Sequence, residues 1–243
     1  MQKFVSTIDH LVITASTLES GTAWIEQQLG CSLQPGGQHP RMGTHNRLLR
    51  IGADCYVEVI AIDPSAVAPG QRRWFGLDQC SALSVPRLTT WVMRTSHIHE
   101  VACLSVVDPG PIQAMQRGEL EWLITIPEDG ECRLHGTLPS LIQWKTWPPP
   151  ATRLPESTIS LQRLELRHPM AAELERWLQT AGFSGPVDLI AVCSGEPAGL
   201  TAVLRRQMDG REVRLESPVQ GHRDWGATDV SRAGTWMAGW LGG

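Results

Sequence analysis

Two of the three aromatic types are nearly missing: one Tyr and three Phe stand against ten Trp. A surplus of one charge is missing too. The chain carries 21 Lys+Arg against 25 Asp+Glu, a net −4, and no basic stripe, which excludes a nucleic-acid partner held by its phosphates. No apolar run approaches the ~20 residues that span a bilayer. Met1-Gln2-Lys3-Phe4-Val5 lacks the charged leader and apolar core of a secretory signal. These absences predict a cytoplasmic chain with no membrane partner. The six cysteines are never closer than 23 residues and form no CxxC, which argues against a structural zinc knuckle and gives no disulfide framework. Gly36-Gly37 precedes a polar loop and no GxGxxG is present, so this is not a dinucleotide-binding sheet.

What is present suits a packed core: 42% hydrophobic and 19% charged residues over 243 positions. Three stretches share a rhythm of strand, helix, then strands. The first opens with the apolar run Ile8–Thr14. A helix capped near Ser16 or Thr17 then ends at Gly30, a polar loop spans 34–44, and strands fall near His45–Ile51 and Cys55–Ile62. The second has a strand at Leu88–Arg94, a weakly helical Ile98–Val107, and strands at Leu120–Ile126 and Leu141–Lys145; Trp147–Pro150 reads as an extended linker. The third has a strand at Leu161–Arg167, a helix to Thr180, and strands at Val187–Cys193, Leu200–Arg206 and Val213–Glu216 around an Asp209-Gly210 turn. The predicted fold is α+β: repeated βαβββ-type modules whose curved, mainly antiparallel sheets form a ligand cup. Paired modules fill 1–150 (about 6–64 and 88–147), a third, looser one fills 151–217, and a Gly/Trp-rich tail, 218–243, stays unassigned.

Three residues of the first stretch suggest a metal. Alternation places His10 on the strand face shared by Ile8 and Val12. Glu58 lies in the apolar strand Tyr56-Val57-Glu58-Val59-Ile60, where an ionised carboxylate is costly without a partner. His45 stands at the mouth of the strand between them. Two imidazoles and a carboxylate suit Zn, Mn, Ni or Fe and leave positions open for substrate. From spacing alone the alternatives stand beside this: an imidazole bonded to backbone, and Glu58 paired with Arg47 or Arg50. His39, in a flexible loop, is placed to cover the cavity mouth. The ten Trp either wall a cavity or fill core and interface.

At these residues the chain resembles the vicinal oxygen chelate superfamily, in particular its bacterial glyoxalase-like domain proteins. Ile8-Asp9-His10-Leu11-Val12 is similar to that superfamily's opening strand. Gly36-Gly37-Gln38-His39-Pro40, followed by Gly43-Thr44-His45-Asn46-Arg47-Leu48-Leu49, resembles the stretch typical of the glyoxalase-like branch. Tyr56–Ile60 resembles the strand that ends the module, and Pro139-Ser140-Leu141-Ile142-Gln143-Trp144 the Trp-bearing strand of the second. The resemblance implies paired βαβββ modules around a cup, with a divalent ion held by the first and last strands of each module and acting as a Lewis acid. It implies His10 and Glu58 as ligands, Glu58 as the catalytic group, and His45 as the residue that must complete the set. Aligning the modules sets Thr90 opposite His10 and Gln143 opposite Glu58, a weak pair of ligands.

The ligand-binding residues expected on this reading are His39, Asn46, Trp91, Trp122, Gln143 and Trp144. The expected partner is a small molecule, acted on by lyase, isomerase or dioxygenase chemistry. The alternative is a metal-free protein that sequesters a small molecule or drug between aromatic walls. A third reading has the tail, with Trp225, Trp236 and Trp240, docking on a partner subunit, as in a homodimer.

Overall fold

A computed structural model describes residues 4–217, and the tail with its three tryptophans lies outside them. Among the described residues, twelve strands in two sheets carry the fold. The first is built from β1 (Ser6–Thr14), helix α1 (Leu18–Leu29), β2 (Gln34–His39), β3 (Thr44–Arg50) and β4 (Tyr56–Ile62), then β5 (Arg87–Thr95), helix α2 (Ile98–Cys103), β6 (Ile112–Arg117), β7 (Leu120–Thr125) and β8 (Ser140–Trp144). Helix α1 starts where the sequence offers reciprocal caps: the Thr17 hydroxyl accepts from the Ser20 N–H and the Ser20 hydroxyl from the Thr17 N–H. It stops at Gly30, in the left-handed region at φ 68°, where a residue without Cβ is unstrained.

The eight strands lie in the order β2-β3-β4-β1-β5-β8-β7-β6. Each half repeats one topology. The first strand of the half runs parallel to its last (β1 with β4, β5 with β8), and the other two follow antiparallel outward. The halves join antiparallel through β1 and β5, with His10 opposite Val92 and Leu11 opposite Trp91. The sheet curls so far that its edge strands meet. Arg41, after β2, donates to the Ala114 carbonyl and the Gln113 side chain on β6.

Two sequence expectations change here. Gln34–His39, expected as loop, is a strand, because β3 supplies a ladder partner that tolerates a register shift between Pro35 and Gln38. Ile112–Arg117 is a strand because its hairpin with β7 pairs every residue; its composition gives no alternation to announce it.

The second sheet follows: β9 (Ile159–Arg167), helix α4 (Ala171–Thr180), β10 (Val187–Ile190), β11 (Gly199–Arg206) and β12 (Glu212–Glu216), after the short helix α3 (Pro150–Arg153). The element order is again βαβββ, but the strand order β10-β9-β11-β12 differs, because the strand after the helix returns beside β9 instead of taking the far edge.

This sheet and its helix thicken the convex side of the first. One continuous core joins Leu11, Ile13, Val57, Val59, Trp91 and Met93 to Leu18, Ile25 and Leu29 of α1, to Ile98 and Val101 of α2, and to Leu164, Leu166, Leu174, Trp177, Leu200 and Leu204. A second core lies on the concave side: Val12, Ile60, Val92, Ile142, Met115, Trp122 and Ile124, capped by Trp74, Phe75 and Leu77 of a 3-10 segment, Trp74–Gln79, between the halves. No helix among the described residues is long and apolar enough to cross a membrane.

Candidate functional site

A β-bulge decides what faces the cup. On β1 the pairing with β5 shifts register between Ile8 and His10, and an extra residue re-aims the side chains beyond it. Ile8 therefore packs into the convex core with Leu11 and Ile13, while both Asp9 and His10 reach groups of the cup. The expectation that His10 shares a face with Ile8 is thus corrected; the face it shares is that of Val12.

His10 and Glu58 come together, both nearly sealed from solvent at 4% and 6% exposure. His10 Nε2 lies 3.4 Å from Glu58 Oε2, and its Nδ1 lies 2.7 Å from Asp9 Oδ1. The Tyr56 ring stacks on the imidazole at 4.6 Å between centroids. Asn46 Nδ2 donates to Glu58 Oε1 at 2.5 Å, and its Oδ1 accepts from the Gly37 N–H at 2.7 Å and from Arg117 Nη1 at 3.3 Å. The amide orientation is fixed by this set, since a carboxylate only accepts and a guanidinium only donates. Trp144 Nε1 donates to Asp9 Oδ2 at 2.9 Å. Arg94 lies 3.6 Å from Asp9 and also pairs with Asp54. Neither Arg47 nor Arg50 pairs with Glu58; Arg50 donates to the carbonyls of Gly52, Ala53 and Leu154.

These partners set the charges. Burial alone would push the His10 imidazole down, but bonds and charge from Asp9 and Glu58 reverse it and hold it up at about 9. Burial would raise Glu58, yet His10, His39 and Asn46 bring it down to about 2. Burial, assisted by the charges of Arg117 and His10, depresses His39 to about 4 against the opposing charge of Glu58. At neutral pH the floor holds an imidazolium, an ionised Glu58 and a neutral His39. His39 Nε2 faces Arg117 Nη1 at 3.1 Å and so accepts, which leaves the proton on Nδ1 to donate to the Thr44 hydroxyl at 3.2 Å.

Six of the expected residues gather here: His10, Glu58, Asn46, His39, Trp122 and Trp144. Trp122 meets His39 edge-on at 6.4 Å and Trp144 at 5.3 Å. Three do not. His45 pairs with Gln38 and Ala61, and Ala61 belongs to the convex core. Alternation sets His45 on the face opposite Asn46, so it cannot join His10 and Glu58. Trp91, fully buried, sits in the convex core, donates to the Thr137 carbonyl and abuts Phe183. Gln143 turns the same way: its Oε1 accepts from the Ile98 N–H at the start of α2.

Asp9, Tyr56, Trp74 and Arg117 belong to the site and were not expected there. Asp9 was discoverable by the cost argument applied to Glu58, a carboxylate inside an apolar strand. Arg117 was not, because the strand that carries it showed no pattern.

The 3.4 Å between His10 Nε2 and Glu58 Oε2 suits two ligands of one ion, and Asp9 would orient the imidazole from behind. The set stops there. His45 lies on the other face, His39 Nε2 is taken by Arg117, and the described residues hold no group of three His, Cys, Asp or Glu placed for a metal. A catalytic zinc is usually held by three protein ligands, so the residues present fall short of a metal centre.

Two curled βαβββ halves joined edge to edge, with a polar floor and aromatic walls, define an α+β cup protein. The family model of the glyoxalase-like domain matches residues 8–182, and the chain belongs to this family. No curated protein matches the chain. Among solved structures it is similar to a hypothetical protein from Staphylococcus aureus (14% identity, 88% of this chain and 86% of that one, TM-score 0.49). It is also similar to methylmalonyl-CoA epimerase from Mycobacterium tuberculosis (15% identity, 58% and 88%, TM-score 0.38). The Streptomyces coelicolor epimerase, in a variant complexed with 2-nitronate-propionyl-CoA, gives 12% identity, 57% and 94%, and a TM-score of 0.38.

Proposed function

We propose that the chain is a glyoxalase-type enzyme that binds a small carbonyl compound in the cup and moves a proton at the carbon beside the carbonyl, an isomerase or lyase reaction. One observation carries the reading: the buried pair His10–Glu58, held from behind by Asp9 and from the side by Asn46. Burying ions costs several kcal/mol each even after relaxation. A fold that needed only stability would place apolar residues there, as the second half does with Val92 and Ile142. Glu58 is the group that takes the proton from carbon; His10 is the main group holding its basicity down, and a substrate oxygen that draws the His10 imidazolium toward itself releases it. The His10 imidazolium stands where negative charge develops on the substrate oxygen. Trp122 and Trp144 exclude water from the reacting face.

The test is hydrogen exchange. The protein is incubated in D2O with small 2-oxo and 2-hydroxycarbonyl compounds, and loss of the C–H resonance is followed by NMR. The wild type should exchange at least one of them, and Glu58→Gln should slow that exchange by about 100-fold or more. Binding in the cup of the wild type with no exchange of any of these compounds would overturn the enzyme reading. It would favour the second one, a binding protein without turnover, which the orphan Trp74 Nε1 and the Trp122–Trp144 wall also suit.

A further inference from the structure

Arg117 ends β6 and shares the concave face with Met115, two positions before it. It comes from the second half of the sheet, yet its hydrogen bonds go to the first. Nη1 meets His39 Nε2 at 3.1 Å and Asn46 Oδ1 at 3.3 Å, both neutral acceptors. No ion pair among the described residues takes in Arg117. Arg94, the other guanidinium at this floor, has both Asp9 and Asp54. A guanidinium has five N–H donors in a planar fork. Here one nitrogen is used, and Nε and Nη2 have no acceptor among the described residues.

The chain is shaped around this arrangement. A Cβ on Gly36 would fall 2.0 Å from Asn46 Oδ1, and one on Gly37 2.9 Å from Arg117 Cδ. The Gly36-Gly37 pair therefore removes two side chains so that β2 can pass Asn46 and Arg117, a role the sequence pattern left open. Trp74, 4% exposed and with no acceptor for its Nε1 among the described residues, sets its ring against His39 at 5.1 Å. Donors without acceptors thus gather beside the floor, and the Asn46 amide bridges Arg117 and Glu58.

We propose that Arg117 is the carboxylate-binding end of the cup, so that the molecule held over Glu58 is a small organic acid whose carboxylate and reacting carbon lie a few bonds apart. This rests on the reading of the cup as the active site and specifies its substrate class. The free edge of the guanidinium pairs with a carboxylate through two parallel hydrogen bonds, geometry that Lys cannot reproduce.

Matched acid and amide pairs test it by titration calorimetry: pyruvate and pyruvamide, lactate and lactamide, mandelate and mandelamide. In the wild type at least one acid should bind about tenfold tighter than its amide. Arg117→Gln should erase that preference, and Arg117→Lys, which keeps the charge and loses the fork, should restore part of it. Equal binding of acid and amide in all three pairs overturns the proposal, as does a preference that survives in Arg117→Gln. Glu58→Gln separates this from the function above: it should keep the acid preference and lose hydrogen exchange. An Arg117-dependent preference with no exchange in the wild type would leave the carboxylate site standing and remove the enzyme.

Discussion

The two halves of the eight-stranded sheet share one topology and differ in what they turn toward the cup. The first presents His10, Glu58, Asn46 and His39; the second presents Val92, Ile142, Trp122 and Ile124. Their convex faces differ as well. The first half is covered by a helix of twelve residues, the second by one of six, with β11 and β12 of the second sheet packed against β5. Repetition has been kept where it makes the cup and given up where one copy suffices. The polar cluster sits on one side only, and the other half contributes walls plus three supports: Trp144 and Arg94 to Asp9, and Arg117 to His39 and Asn46.

The sharpest way to break this division is through the tryptophans of the second half. Trp91→Ala should cost about 3–5 kcal/mol of unfolding free energy, because it empties a fully buried site beneath the second sheet and orphans the Thr137 carbonyl. Urea denaturation measures this. A loss below about 1 kcal/mol would mean that Trp91 is not core and that the convex assignment is wrong.

A second test uses pH. The folded pKa of His10 is raised from 6.5 to about 9, so the folded state binds the extra proton. Its contribution to stability is complete below about 6.5 and is lost as pH rises toward 9. Glu58 works the other way, brought from 4.5 to about 2, so its contribution holds above about 4.5 and is lost as pH falls toward 2. His39, lowered from 6.5 to about 4, must stay neutral, and stability therefore also falls as pH drops through that interval. Melting temperature should decline between pH 6.5 and 9 in the wild type, and Glu58→Gln should flatten that limb. At neutral pH the same variant should lose about 1–3 kcal/mol, the worth of a hydrogen bond to a charged group. An unchanged alkaline limb in Glu58→Gln would separate His10 from Glu58 and dissolve the pair.

The smallest effect belongs to His45. His45→Ala should leave the His10 ring resonances and hydrogen exchange unchanged and shift stability by less than about 1 kcal/mol. A collapse of either readout would bring His45 back to the floor.

Much of this could be read from residues alone. His10 and Glu58 declare themselves because an ionisable group inside an apolar strand is costly unless partnered, and the structure brings the two together. The helix α1 caps and the Asp209-Gly210 turn are local chemistry and appear where expected. Two of the three misplaced site residues share one cause. His45 and Asn46 are neighbours on one strand, as are Gln143 and Trp144, so alternation allows only one of each pair to face the cup. Asn46 and Trp144 are the ones that do. In β1 the reverse happens, since the bulge after Ile8 brings Asp9 and His10 to the same cluster. No count of positions along the chain reveals an inserted residue.

By itself, then, the sequence determined the repeated elements, their α+β class, the family and the two ionisable residues that meet on the floor of the cup, because capping, turn chemistry and the cost of burying charge are local quantities. The tertiary structure decided which side chains share a face, which half carries the polar cluster and which supplies walls, and that Arg117 crosses from one half to the other. Those depend on register, on a bulge and on how far a sheet curls, and each is fixed only when distant strands pair.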